Sequence, residues 1–177
     1  MRYLKCTKKL LEEMDTQPDS SESDDDGILG DWYANLLSIE RKKCVLFVNE
    51  KTRFCFLMVD LKRVHIKNLA VVFRDGLFSA LLSEGYQAPM IEHIISEYDT
   101  LSYGKATDRT VLGSMTEYAK TYDYWLASEG GLARCNLKAI NKKMNDMLMG
   151  MGKPKEYIRG SELLKACYPP TSKPLEV

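Results

Sequence analysis

A chain of 177 residues with 25 basic and 25 acidic side chains carries no net charge that would drive it as a whole onto nucleic acid or a membrane. At that length it can bury roughly 70% of its unfolded surface, so one domain needs neither disulfide nor metal to fold. Its five cysteines, at 6, 44, 55, 135 and 167, are odd in number and form no Cys-x-x-Cys pair, and a buried, reduced set in a cytoplasmic protein is the economical reading. The start, Met1-Arg2-Tyr3-Leu4-Lys5, has no apolar core of a signal peptide behind it, and no run of roughly 18 apolar residues occurs, so neither secretion nor a membrane partner is expected.

The neutral sum hides a strong partition. Residues 15–31 hold seven acids and no base, residues 40–67 eight bases against three acids, residues 68–135 five bases against nine acids, and residues 136–177 eight bases against four acids. A molecule polarised in this way can steer a charged partner.

In chain order, Arg2 to Cys6 reads as a strand, and Thr7 is placed to cap a short helix through Met14 by accepting an orphan amide. Gln17 to Gly27 has no apolar residue to bury and repels itself, so a mobile acidic loop is expected at about 15–28. Within it Asp24, Asp25 and Asp26 are candidates for contact with a basic partner. Three apolar and aromatic runs follow, Trp32 to Ile39, Cys44 to Val48 and Phe54 to Val59. They are interrupted by Glu40-Arg41-Lys42-Lys43 and Asn49-Glu50-Lys51-Thr52, the pattern of an antiparallel meander. Both parities of these strands are apolar, so both sheet faces need cover: helices on one, and more helix or a second copy of the chain on the other. A homodimer is therefore one expected partner arrangement.

Beyond Asp60 the period becomes helical. Asn68 is placed as a cap, Leu69, Val72, Phe73, Leu77, Ala80 and Leu81 share a face, and Gly85 ends the helix. Pro89 opens a second helix carrying Ile91, Ile94, Ile95 and Tyr98. Thr100 to Ala106 reads as a strand. Thr107 or Asp108 then caps a long helix with the stripe Val111, Met115, Tyr118, Tyr122 and Leu126, stopped by Gly130-Gly131. Asn136 caps another, with Leu137, Ile140, Met144, Met147 and Leu148 as its stripe, and Ser161 to Cys167 forms the last. The sum is a single α+β domain over residues 1–177, a mostly antiparallel sheet of about five strands packed with four to five helices.

Four stretches also carry a likeness: Leu4-Lys5-Cys6-Thr7-Lys8-Lys9-Leu10-Leu11, Gly30-Asp31-Trp32-Tyr33-Ala34-Asn35, Asn49-Glu50-Lys51-Thr52, and Asp108-Arg109 followed by Leu112-Gly113-Ser114-Met115. Together they resemble a family of uncharacterised bacterial and mobile-element proteins, classed as a domain of unknown function. The resemblance runs over most of the chain and implies no reaction, cofactor or catalytic residue.

Chemistry-bearing patterns are sparse. The two histidines, His65 and His93, are far apart in sequence and form no convergent cluster for zinc or for acid–base work. Gly150-Met151-Gly152-Lys153-Pro154 is no phosphate loop, because Met147 stands at the first glycine and Pro154 at the magnesium ligand. Ser114 lacks the surroundings of a nucleophile elbow and suits close helix packing. Asp31, Glu40, Lys42, Glu50 and Asp60 loosely match the two-carboxylate-plus-lysine layout of metal-dependent nucleases, yet Asp31 and Glu40 lie at opposite ends of one strand. The methionines from Met144 to Met151 suit core filling or an adaptable contact surface.

The basic stretch says more. In a three-strand meander the first turn and the exit of the third strand fall at one end, which gathers Arg41, Lys42, Lys43, Lys62 and Arg63 into a patch. The expectation is a non-enzymatic macromolecule-binding protein of bacterial or phage type that acts by occupying a surface. Its partner would be a protein or protein–nucleic-acid complex, with contact to nucleic acid, as in an anti-CRISPR inhibitor of an effector nuclease. No cofactor or metal is expected, and the alternative is a small metal-dependent nuclease or toxin.

Overall fold

The structure, a computed structural model, describes residues 1–21 and 27–170. Along them run β1 (Arg2–Cys6), α1 (Lys8–Met14), β2 (Trp32–Ile39), β3 (Lys42–Asn49), β4 (Cys55–Met58), α2 (Arg63–Lys67), α3 (Leu69–Ser83) and α4 (Ala88–Ser96). There follow β5 (Leu101–Lys105), α5 (Arg109–Ser128), α6 (Leu137–Asn145), β6 (Leu148–Met151), β7 (Glu156–Arg159) and α7 (Gly160–Cys167). The fold is α+β as expected, with seven helices rather than four or five among the described residues. The additional ones include α2, a short turn of helix between β4 and Asn68.

Five strands form one sheet in the order β4-β3-β2-β1-β5, and β6 pairs with β7 apart from it. The meander β2-β3-β4 is antiparallel, whereas β1 lies parallel to both β2 and β5. Parallel neighbours demand crossovers. After α1, the linker makes the first of these by passing β5, where the Asp19 amide donates to the Tyr103 carbonyl at 2.8 Å. That contact occupies one position on the outer side of β5, the last strand of the sheet. The β2–β3 turn holds Glu40 and Arg41 at φ of 51° and 64°, the left-handed pair that matches the twist of a two-residue hairpin.

Both faces of the meander are covered by helices of the same chain. On the first, Trp32, Phe47 and Phe56 pack with Phe73 of α3 and with Leu10, Ile91 and Leu164. Trp32 meets Phe73 edge-on at 5.3 Å and Phe47 stacks on Phe56 at 5.1 Å, geometries that favour the ring quadrupoles. On the second face, Tyr33, Leu46, Val48, Cys55 and Leu57 meet Val111, Met115, Tyr118, Tyr122 and Leu126 of α5 and Ile140 and Met144 of α6. The stripe expected on α5 is thus buried in full. No second subunit is required to cover either face of the meander.

Caps and stops follow the sequence in most places. Asp108 accepts from the Thr110 amide and Asn136 from the Ala139 amide; Gly85, Gly130 and Gly131 have φ of 88°, 90° and 87°, beyond the reach of most side chains. Thr7 departs from expectation. It sits at the N-cap position, but its hydroxyl donates to Asn35 Oδ1 at 2.8 Å instead of capping α1. Leu148 departs too, leaving the α6 stripe to begin the β6–β7 hairpin, where it is exposed.

Candidate functional site

Two groups of charges stand out, one solvated and one buried. The solvated group is the end of the sheet where the β2–β3 turn meets the exit of β4. There the Leu61 amide donates to the Lys43 carbonyl at 2.8 Å, which extends the strand pairing and brings the two basic segments together. Asp60 lies between them, 3.7 Å from Lys42 Nζ and 2.9 Å from Lys62 Nζ. The hydrogen bond from Lys62, with the charge of Lys42, holds the Asp60 carboxyl below its ordinary value. Lys43 is ion-paired with Glu13 of α1. Arg41 at the turn and Arg63 at the start of α2 are exposed. Of the five bases expected at this end, Lys42 and Lys62 meet at Asp60 and Lys43 pairs with Glu13, while Arg41 sits beside Glu40 in the β2–β3 turn and Arg63 follows Lys62 in the chain. Two exposed apolar side chains, Val64 on α2 and Val71 on α3, at 62% and 50%, are carried by the same segment as Arg63 and Lys67.

Asp24, Asp25 and Asp26 lie outside the described residues.

The buried group sits on the second face, at the opposite end of the meander. Asp31 is 1% exposed: its Oδ1 accepts from the Tyr3 amide at 2.9 Å and its Oδ2 lies 3.2 Å from Lys5 Nζ. Glu50 completes the group, with Oε1 accepting from the Asp31 amide at 3.1 Å and Oε2 from Lys5 Nζ at 3.1 Å. Burial works against the charge on Lys5, but Glu50 and Asp31 outweigh it and hold the amine above its ordinary value. The turn beneath is clasped by Asn49, fully buried, whose Oδ1 accepts from the Thr52 amide and hydroxyl, both at 2.9 Å. Arg53 follows at φ 61°. Its guanidinium bonds the Glu50 carbonyl and reaches Ser114 and Thr110 of α5, each at 3.3 Å.

These positions sort the sequence-derived nuclease set. Asp31 and Glu50 converge; Glu40 does not, because it lies at the far end of β2 and accepts from the Leu132 amide at 2.8 Å. Asp60 and Lys42 belong to the basic end. The lysine that joins the two carboxylates is Lys5, which the sequence spacing missed. Its one signal was a charge inside a strand whose neighbours Leu4 and Cys6 are buried.

Other reactive groups are quiet. Burial pushes the Cys6 and Cys55 thiols up to about 12, which removes the nucleophilic thiolate at neutral pH. His65 is exposed and accepts through Nδ1 from the Lys62 amide at 2.8 Å. Among the described residues no three His, Cys, Asp or Glu side chains are gathered as a metal-binding group, and no helix is long and apolar enough to cross a membrane.

One protein-family model matches, that of a domain of unknown function (DUF6933), over residues 3–163. No curated protein and no solved structure matches the chain.

Proposed function

We propose that this chain, which belongs to the DUF6933 family, acts by binding an acidic face of another protein through its basic end. The observation that carries the reading is the meeting of Lys42 and Lys62 at Asp60, with exposed Arg41 and Arg63 next to them in the chain and Val64 and Val71 exposed in the segment that follows. Basic and apolar groups side by side suit a protein interface, whose centre is apolar and whose rim is charged. The exposed ion pairs there are weak in water, so an acidic partner can displace Asp60 at little cost.

The test is capture of host proteins on the immobilised chain, followed by measurement of the purified complex over a salt series. Changing Arg41, Lys42 and Lys43 together to Glu is expected to weaken binding at least about tenfold and to flatten its salt dependence. Unchanged affinity would remove the basic end from the function. Preference for nucleic acid of any sequence over protein would redirect the reading to phosphate.

The convergence of Asp31, Glu50 and Lys5 supports a second reading, a metal-dependent nuclease with the carboxylates as ligands. It ranks lower because the Lys5 amine lies 3.2 and 3.1 Å from the two carboxylates, where it competes with an ion. Cleavage of plasmid or RNA that requires magnesium or manganese and is lost in Glu50→Gln would establish it.

A further inference from the structure

The strand β2 is longer than its neighbour on one side. It pairs with β3 along its whole length, from Trp32 to Ile39, but its ladder with β1 covers only Trp32 to Ala34 and closes with the Thr7 amide donating to the Ala34 carbonyl at 3.1 Å. From Asn35 to Ile39 the edge of β2 therefore has no strand beside it among the described residues. Strand geometry turns the backbone groups of alternate residues the same way. With Ala34 facing β1, the N–H and C=O of Leu36 and Ser38 face the bare side. Such an edge is a template for another strand. It forms the floor of a cleft of about 310 Å³ lined by Leu37, Ser38 and Ile39, with Lys9 of α1 on one wall and Ala119, Lys120 and Asp123 of α5 on the other.

We propose that this edge pairs with the same edge of a second copy of the chain, so that two sheets join into one through antiparallel β2 strands. A two-fold axis near Leu37 would set Leu36 of one copy against Ser38 of the other, and every outward amide and carbonyl would find its complement. The α5 wall supplies the charge argument. Lys120 and Asp123 lie one turn apart, basic then acidic, and a two-fold axis passing between them would set Lys120 of each copy beside Asp123 of its partner. Lys120 is 3.5 Å from Glu117 on its own helix, with both side chains solvated, so that pair offers little resistance. A uniformly acidic or basic strand from another protein would meet one like charge on this wall, whereas a second copy brings one charge of each sign to it. The net charge of zero removes the long-range repulsion that would otherwise oppose self-association. This contact uses the strand edge, and it is independent of the binding proposed for the basic end.

The test is the molecular mass of the full-length chain by sedimentation velocity and native mass spectrometry, from micromolar to about 100 µM. The wild type is expected to dimerise. Ser38→Pro removes an outward amide and should abolish the dimer, with circular dichroism checking the fold. Lys120→Asp and Asp123→Lys each place like charges across the axis and should weaken dimerisation about tenfold, while the double exchange restores it. A wild type that stays monomeric throughout, including one whose edge is filled by a different protein, overturns the proposal. So does a dimer that none of these changes affects.

Discussion

The two charge clusters use similar chemistry in opposite settings. At the basic end, one carboxylate, Asp60, lies between two lysines whose side chains are 48% and 68% exposed. In the buried group, two carboxylates share one lysine, and Asp31 keeps 2% of its side chain in water. Water already solvates the first set, so forming or breaking its pairs changes little. In the second set Asp31 has lost its water, while Lys5 and Glu50 keep 28% and 25% of their side chains exposed, so a lone pair of Asp31 that goes unmatched is costly. The solvated charges are therefore free to be exchanged for a partner's, while the buried ones hold β1, β2 and β3 in register. Glu84 gives a second buried case: its side chain is 1% exposed and lies 3.3 Å from Lys142 of α6 and 3.2 Å from Lys165 of α7.

The contrast can be broken experimentally, and the largest effect should come from Asp31→Ala. It leaves Lys5 with one carboxylate and strands the Tyr3 amide, and should cost about 3–5 kcal/mol of stability in urea unfolding. A loss below about 1 kcal/mol would mean that the cluster is not structural. Next in size, Glu84→Gln should cost about 2–3 kcal/mol by the same mechanism; a neutral result would show that burial is not the controlling variable. Lys42→Glu with Lys62→Glu should leave the urea midpoint where it is, yet weaken partner binding in a salt-dependent way. A large shift of the midpoint would erase the distinction between the clusters.

Smaller effects follow from pH. The Lys5 amine titrates above 10.5, so its contribution is whole at neutral pH and is lost only as pH rises through that higher value. The stability gap between wild type and Lys5→Met should accordingly stay constant from neutral pH to the ordinary lysine range and close beyond it. Asp60 titrates below the usual 3.8, so its pairs are present above that value and lost as pH falls through the lower one. Nuclear magnetic resonance titration of its carboxyl would show the midpoint directly, and Lys62→Met should move it upward.

Much of this molecule was legible before its fold was known. The meander, the Asp108 and Asn136 caps, the α5 stripe and the glycine stops are set by near neighbours in the chain: alternation, cap chemistry and backbone freedom act over a few residues. Even the gathering of Lys42 with Lys62 followed from two turns and strand direction. The misses are of another kind. Thr7 gave up its cap because Asn35 came within reach across the sheet, and Leu148 left the helix stripe because β7 offered it a ladder partner in Arg159.

Local sequence pattern was enough for most of the strands and helices, though not for α2 or the β6–β7 hairpin, for which of their faces are apolar, and for the basic turn and the exit of the third strand sharing an end. It took the packed fold to show that β1 enters parallel between β2 and β5, that Lys5 lies against Asp31 and Glu50, and that β2 extends beyond its ladder with β1. The physical reason is range. Local preferences are fixed by the residues that carry them, whereas strand order and charge pairing depend on which distant segments bury each other best.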